Sequence, residues 1–423
     1  MKDETLALHA GYTPGNTEPR VLPIVQSTTY VYDSAEEMAK VFDDPTRSLC
    51  YSRFGNPTVM AVEQKIAELE GGVAAMCTSS GQAASLLSVL NIAAAGDKII
   101  SFSEIYGGTV NLFSFTFKRL GIETLFVSKD VTDEEFDKLF EENDRIRLVF
   151  GETLANPAMN VLDIERFAKL AHKHDVPFIV DNTFATPVFC KPIEFGADIV
   201  VHSTSKYMDG HALQVGGVIV DSGKFNWDNG KYPELSEPDE SYHGISYTKT
   251  YGNLAYILRA RMNLMRDFGV YPAAHSAFLL NLGLETLPVR MRQYNDNGMT
   301  VANYLVNDPH VEYIKFPALE SDADHALFKK YLKGTCAVIS FSIKGGRESA
   351  MKFLDSLKLV SREVHVADIR SCILHPASST HRQLTDEQLE AAGIGQGLVR
   401  LSVGLENIDD ILDDIKQAFA AID

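Results

Sequence analysis

Apolar residues recur at helical spacing through VMAVEQKIAELEG (59–71) and stop at a glycine. That is the pattern of an amphipathic helix with a left-handed terminator. VAAMCTSSG (73–81) reads as a strand running into a turn, and QAASLLSVLNIAA (82–94) as a buried helix. Strand and helix patterns then alternate: KIISF (98–102), TVNLFSFTFKRLG (109–121), ETLFVS (123–128), DEEFDKLF (133–140), IRLVFGE (146–152), DIERFAKLAHKHD (163–175), PFIVDN (177–182), ADIVVH (197–202) and GGVIVD (216–221). Apolar strands alternating with helices predict an α/β fold with a mostly parallel sheet covered on both faces.

The flanking segments break this rhythm. Residues 1–60 are rich in Pro, Thr, Tyr and Gly and read as an extended arm with little core of its own. FNWDNGKYPELSEPDESYHGISY (225–247) has no clear period and reads as an insertion over the core. A long helical region is expected from about 250 to 308. CAVISFSI (336–343), a helix at 347–357, VRLSV (399–403) and IDDILDDIKQAFAAI (408–422) suggest a smaller α+β C-terminal domain. The expected division is an arm (1–60), an α/β domain with its insertion (61–255), and a long helix with the C-terminal α+β domain (256–423).

A chain of 423 residues exceeds what one core usually serves. A formal net charge of −18 argues against a broad nucleic-acid surface, while leaving room for a local anion pocket. The five cysteines show no CxxC spacing, so neither a zinc site nor a disulfide framework is expected, and reduced thiols in the cytoplasm are the default. There is no apolar signal core and no apolar run long enough to span a membrane.

The chemistry concentrates at strand ends. Lys206 lies in HSTSK (202–206) after the strand-like ADIVV, and IVDN (179–182) ends another strand in Asp181. Such a pair suits pyridoxal phosphate: the lysine forms a Schiff base with the aldehyde, and the carboxylate pairs with the pyridinium nitrogen. The competing reading of Lys206 is a solvated surface amine. SSGQAAS (79–85) stands between a strand and a helix, where backbone N–H groups and serine hydroxyls bind phosphate and Gly81 permits close approach. No GxGxxG or Walker pattern points to a dinucleotide or ATP. Tyr106 in YGGTVNLF can stack on a planar ring or simply pack in its loop. Asn156 in ETLANP is held extended by the following proline and can donate to a phenolic oxygen.

YSRFGNPT (51–58), SSGQAAS, YGGT, ETLANP, DNTFATP (181–187), HSTSK, HPASSTH (375–381) and VRLSVGLE (399–406) occur in one order along nearly the whole chain. In this the sequence resembles the Cys/Met-metabolism family of pyridoxal-phosphate enzymes, which have the aspartate-aminotransferase type fold. The resemblance implies Lys206 as the Schiff-base lysine, Asp181 on the ring nitrogen and Tyr106 stacked on the ring. It implies Gly81, Gln82, Ser203 and Ser205 on the phosphate, and Asn156 near the ring hydroxyl or the substrate carboxylate. Arg400 is implied to pair with the substrate α-carboxylate, a task that suits a bidentate fork. Tyr51 and Arg53 are implied to reach the phosphate of a neighbouring subunit's cofactor. The active site would then be shared in a homo-oligomer, a dimer of dimers being the expected form, with Tyr51 also near substrate.

SGQAA, YGGTVNLF, Gly108 after YG, an insertion ending in SYHG and LGLETLPVRM (282–291) resemble the O-acetylhomoserine sulfhydrylase branch. That branch implies conversion of O-acetylhomoserine and sulfide to homocysteine and acetate in methionine biosynthesis. A methionine γ-lyase and a cystathionine γ-synthase share the same cofactor residues and stay open. STSK (203–206) also matches the SxxK of serine acyl hydrolases, but no SDN or KTG partner follows. A non-catalytic binding protein on the same fold is a further reading. Two departures stand out. HVAD (365–368) replaces Asn-Val-Gly-Asp and puts His365 where a side chain normally helps hold the substrate carboxylate, and Ser205 stands where Thr is frequent. His172 and His174 read as a solvated helix end, and His375 and His381 as structural or site-lining rather than as metal ligands.

Overall fold

The computed structural model describes residues 1–43, 49–380, 382, 385–391 and 393–422. The helix Pro57–Glu70 shows how local chemistry sets an element. The Asn56 side chain accepts from the Thr58 amide at 3.0 Å, Pro57 occupies the first turn, and Gly71 ends the helix at φ +78°. Such a cap contributes about 1 kcal/mol, and the left-handed terminator favours glycine.

The larger sheet contains β1 (Ala74–Thr78), β2 (Lys98–Phe102), β3 (Glu123–Val127), β4 (Ile146–Glu152), β5 (Phe178–Asp181), β6 (Ile199–Ser203) and β7 (Gly217–Asp221). Its order is β1-β7-β6-β5-β4-β2-β3. All pairs are parallel except those of β7, which runs antiparallel to both β1 and β6. All strands but the half-exposed edge strand β3 are buried almost throughout, which is why they read as apolar runs rather than as alternating patterns.

The smaller sheet contains β8 (Val311–Lys315), β9 (Val338–Ile343), β10 (Ser361–Arg362), β11 (Cys372–Leu374) and β12 (Leu398–Ser402), in the order β10-β11-β12-β9-β8. Only β10 and β11 pair parallel. The helices Gly346–Ser356 and Ile408–Ala420 accompany this sheet, as the α+β pattern predicts.

Several segments differ from the sequence expectation. Within 1–60 two helices form, Asp3–His9 and Ala35–Asp43. The first is docked on the body: Ala7 is fully buried, and Asp3 pairs with Lys191 at 2.8 Å. The insertion at 225–247 is not a loose cover. Trp227 and Tyr232 are buried, Trp227 stacks on Tyr256 at 4.9 Å, and the Arg147 guanidinium lies 4.7 Å over the Tyr232 ring. The helical region after 247 is broken at Gly269 (φ +65°), and one 34-residue helix, Ala274–Asn307, follows. His172 and His174 are each held at 2.7 Å by a carboxylate, Asp198 and Asp137 respectively, and are not simply solvated. His375 bonds Ser378 and the carbonyl of Gln396, a structural role, while His381 lies outside the described residues. Among the described residues no helix is long and apolar enough to cross a membrane.

Candidate active site

In a parallel sheet the carboxyl ends of neighbouring strands open onto one crevice. Here β4 ends at Glu152 and β5 at Asp181, which face each other in register, and β6 ends at Ser203. Lys206 follows three residues later in the turn that leads towards β7. The cavity at this edge has a volume of about 460 Å³. It brings together Gly81, Gln82, Tyr106, Asn156, Asp181, Ser203, Ser205, Lys206, His365 and Arg400. Tyr51 and Arg53 are not in its lining. Tyr51 is exposed, and Arg53 Nη1 donates to the carbonyl of Arg266 with its guanidinium 5.5 Å over the Tyr51 ring.

One wall is the start of the helix Gly81–Leu90. Ser80 caps it by accepting from the Ala83 amide at 3.1 Å, while the first-turn amides have no partner within a helix. A Cβ at Gly81 would lie 2.6 Å from Ser203 Cβ and 2.9 Å from Ser203 Cα. Glycine is what lets the helix start meet the end of β6. The Ser203 amide donates to Thr183 Oγ1 at 2.9 Å, and Ser205 Oγ accepts from the Gly216 amide at 2.9 Å. Gly108 is equally constrained: a Cβ there would lie 2.5 Å from both Gln82 Nε2 and the Tyr106 ring.

Asp181 Oδ1 accepts from the Thr183 amide at 3.0 Å and from its hydroxyl at 2.5 Å. Burial raises the Asp181 carboxyl above its ordinary pKa, and the Thr183 bonds oppose that rise. Glu152 Oε2 accepts from the Tyr106 amide at 2.7 Å, which anchors the ring-bearing loop. Burial first, and then the Asp181 charge, push the Glu152 carboxyl up as well. Thr183 and Glu152 were missed by sequence reasoning. Thr183 stands inside DNTFATP and Glu152 inside ETLANP, so the signal was present in motifs read for their neighbours.

The opposite wall comes from the smaller sheet. Arg400 on β12 is buried; Nη1 donates to Asn156 Oδ1 at 3.2 Å, and Nη2 to the carbonyls of Val364 and His365 at 3.2 and 3.1 Å. Its Nε is buried without a partner, and among the described residues no carboxylate forms an ion pair with it. Lys206 is half-buried, with Nζ 3.2 Å from His365 Nδ1. Burial first, and then the Arg400 charge, lower the Lys206 amine to about 8.

These residues fit a pyridoxal phosphate. The glycine-lined helix start with Ser203 and Ser205 suits its phosphate, Asp181 its ring nitrogen, and the depressed Lys206 amine its aldehyde. Arg400, with its Nε unpartnered and no ion pair to a carboxylate among the described residues, then suits a carboxylate outside the cofactor.

A pyridoxal-phosphate enzyme is therefore the class that fold and site define, and the chain belongs to the Cys/Met metabolism PLP-dependent enzyme family, whose profile it matches over residues 4–420. Among curated relatives it is 43% identical to an O-acetyl-L-homoserine sulfhydrylase of Leptospira meyeri, covering 100% of this chain and 97% of the other. It is also 43% identical to a homocysteine/cysteine synthase of Saccharomyces cerevisiae, over 99% and 98% of the two chains. The crystal structure of a metY protein from Campylobacter jejuni, which contains N'-pyridoxyl-lysine-5'-monophosphate, matches with a TM-score of 0.94 at 36% identity, covering 99% of this chain and 100% of that one. The metB structure from Corynebacterium glutamicum matches with a TM-score of 0.85 at 32% identity, over 100% and 99% of the two chains.

Proposed function

We propose that this chain converts O-acetyl-L-homoserine and sulfide to L-homocysteine and acetate. The observation that carries the reading is the buried Arg400 guanidinium across the cavity from Lys206, with its Nε unpartnered and no carboxylate ion-paired to it among the described residues, in a chain similar over its whole length to sulfhydrylases. When bound, pyridoxal phosphate withdraws electrons from the substrate's carbon skeleton, making its Cα and Cβ protons acidic.

The protein's own groups do the rest. Arg400 holds the α-carboxylate by charge-assisted bonds, with Asn156 fixing the guanidinium. This fixes Cα relative to Lys206. At neutral pH a lysine amine of ordinary pKa is almost wholly protonated; lowering it to about 8 raises the free-base fraction about 300-fold. Lys206 can then move a proton off Cα and another off Cβ, and both return to those carbons after sulfide has added. Loss of the Cβ proton permits the acetyl ester to leave Cγ as acetate, and sulfide supplies the new Cγ–S bond. Asp181, held by Thr183, keeps negative charge where a ring-nitrogen proton needs it.

Tyr51 and Arg53 complete a neighbouring subunit's site in this reading. Their position outside their own chain's cavity supports it. The assembly is a homo-oligomer, with a dimer of dimers as its expected form. Five free cysteines suit a reducing compartment such as the cytoplasm.

The test is product analysis with purified protein, O-acetylhomoserine and either sulfide or cysteine. Sulfide is small and needs no second carboxylate anchor, so it should react at least about tenfold faster, a gap of about 1.4 kcal/mol. Methionine should release little 2-keto acid. Faster reaction with cysteine would make the enzyme a cystathionine synthase, and ready cleavage of methionine would make it a γ-lyase.

A further inference from the structure

Two carboxyl groups, not one, open onto the crevice at the strand ends. Glu152 and Asp181 are register partners on β4 and β5, and both side chains line the cavity. Of the described residues in that lining, only these two carry a carboxyl. Paired strands lie about 4.8 Å apart, and two carboxyls that close in a dry site do not both ionise readily. Their hydrogen bonds decide which of them holds the charge. Burial raises the Asp181 carboxyl, but two bonds from Thr183 and then the field of His202 oppose the rise. Glu152 receives a single bond, from the Tyr106 amide at 2.7 Å. Among the described residues no cation forms an ion pair with it, and burial first and then the Asp181 charge push its carboxyl well above the ordinary range. Lys206 and Arg400, the cations of the cavity, are bonded instead to His365 and Asn156.

We propose that Glu152 is an uncharged positioning residue, whose protonated carboxyl holds the Tyr106 loop and leaves Asp181 as the one negative charge offered to the cofactor's ring nitrogen. The inference rests on pyridoxal phosphate as the ligand of this crevice and not on which substrate is turned over.

A neutral carboxyl has one acceptor oxygen and one hydroxyl donor. Oε2 accepts from the Tyr106 amide, so the proton sits on Oε1. The Tyr106 carbonyl in turn accepts from the amides of Thr109 and Val110 at 2.8 and 3.1 Å, which starts the helix Gly107–Asn111. The Tyr106 backbone is thus held from both sides, while its ring is half exposed and lines the cavity. A Cβ at Gly108 would lie 2.5 Å from that ring, so the loop packs closely around it. A charged Glu152 would compete with Asp181 for the pyridinium charge. A neutral one anchors the ring-bearing loop without doing so.

The experiment uses full-length protein freed of cofactor: wild type, Glu152→Gln and Glu152→Leu. Gln keeps the shape and the acceptor oxygen and carries no charge, whereas Leu removes the acceptor. The infrared difference spectrum at neutral pH, wild type minus Glu152→Gln, should contain the C=O band of one protonated carboxylic acid and no carboxylate bands. On titration with pyridoxal phosphate, Glu152→Gln should bind within about threefold of wild type and Glu152→Leu about tenfold or more weakly, a gap of about 1.4 kcal/mol. The visible circular dichroism of the bound cofactor, which reports how its ring is held, should be kept by Gln and altered by Leu. Carboxylate bands in the difference spectrum overturn the uncharged state. Gln as weak as Leu, or Leu as tight as wild type, overturns the positioning role. Should Glu152→Leu not fold, the infrared spectrum and the Glu152→Gln affinity decide, and a tenfold loss in Gln overturns the proposal. Absence of homocysteine from O-acetylhomoserine and sulfide would defeat the proposed reaction alone, since none of these measurements involves those substrates.

Discussion

Gly81→Ala isolates the proposed phosphate cradle. On helix propensity alone the change is favourable, by roughly 0.5–1 kcal/mol. The contacts oppose it: the added methyl would stand 2.6 Å from Ser203 Cβ and 2.9 Å from Ser203 Cα. The second atom is backbone of β6, and Ser203 pairs with Gly217 of β7, so it cannot simply rotate away. Overpacking of this kind costs typically about 1–3 kcal/mol, leaving a net destabilisation of about 0–2 kcal/mol after the propensity gain. The cheapest relief is a shift of the helix start away from Ser203, which widens the cradle. Loss of one charge-assisted bond to phosphate costs roughly 1.5–3 kcal/mol, or about 10- to 150-fold in affinity. Gly107→Ala is the matched control, because a Cβ there meets nothing within 4 Å. Titration of cofactor-free protein with pyridoxal phosphate, followed by absorbance, gives both affinities, and thermal melts give the stabilities. Unchanged affinity in Gly81→Ala, or an equal loss in Gly107→Ala, would refute the steric argument.

Asp181→Asn should keep some cofactor yet lose about a hundredfold in turnover, since losing a buried charge-assisted partner costs on the order of 3 kcal/mol; near-normal turnover would give the carboxylate another role. Mixing Arg53→Ala with Lys206→Ala under subunit exchange should recover part of the activity, whereas an active monomer in sedimentation would exclude a shared site. The Lys206 amine, at about 8 in the fold against 10.5 unfolded, binds its proton more tightly in the unfolded chain. Cofactor-free protein should therefore gain stability relative to Lys206→Met as pH rises from about 8 to about 10, because stability rises where the unfolded state holds more protons. Melting-point differences that stay flat over that range would contradict the burial of the amine.

The larger sheet was legible because every strand but the half-exposed edge strand β3 is buried almost throughout. KIISF and IRLVFGE match β2 and β4 residue for residue. The smaller sheet was only half legible. VEYIK in β8 is a half-exposed strand, and CIL in β11 has just three residues, too short for any period. The break at Gly269 was lost inside a run of helical spacing, and TVNLFSFTFKRLG concealed a π-helical turn at Leu112–Phe117 that side-chain period does not reveal. At the site, residues placed by strand ends were readable. Thr183 and Glu152 stood inside motifs read for their neighbours, and Asn56, outside the cavity, acts as a helix cap that no side-chain period records.

The site joins two sheets that the chain builds about 200 residues apart. Asp181 and Lys206 come from the parallel sheet, while Arg400 and His365 come from β12 and the loop before β11. Within the site Arg400 bonds Asn156 and Lys206 bonds His365 across the gap; beside it Tyr207 bonds the carbonyl of Cys336 and the Ile369 amide the carbonyl of Gly210. In the proposed reading the two bonds within the site each join a cofactor-side group to a substrate-side group, so the spacing between electron sink and carboxylate anchor would follow how the smaller sheet packs on the larger one. A conservative change at either bridge alters that spacing as well as a local contact. This is why the histidine at 365 bears on Lys206 even though the sequence pattern points to the carboxylate: its backbone serves Arg400 while its ring reaches across to the lysine.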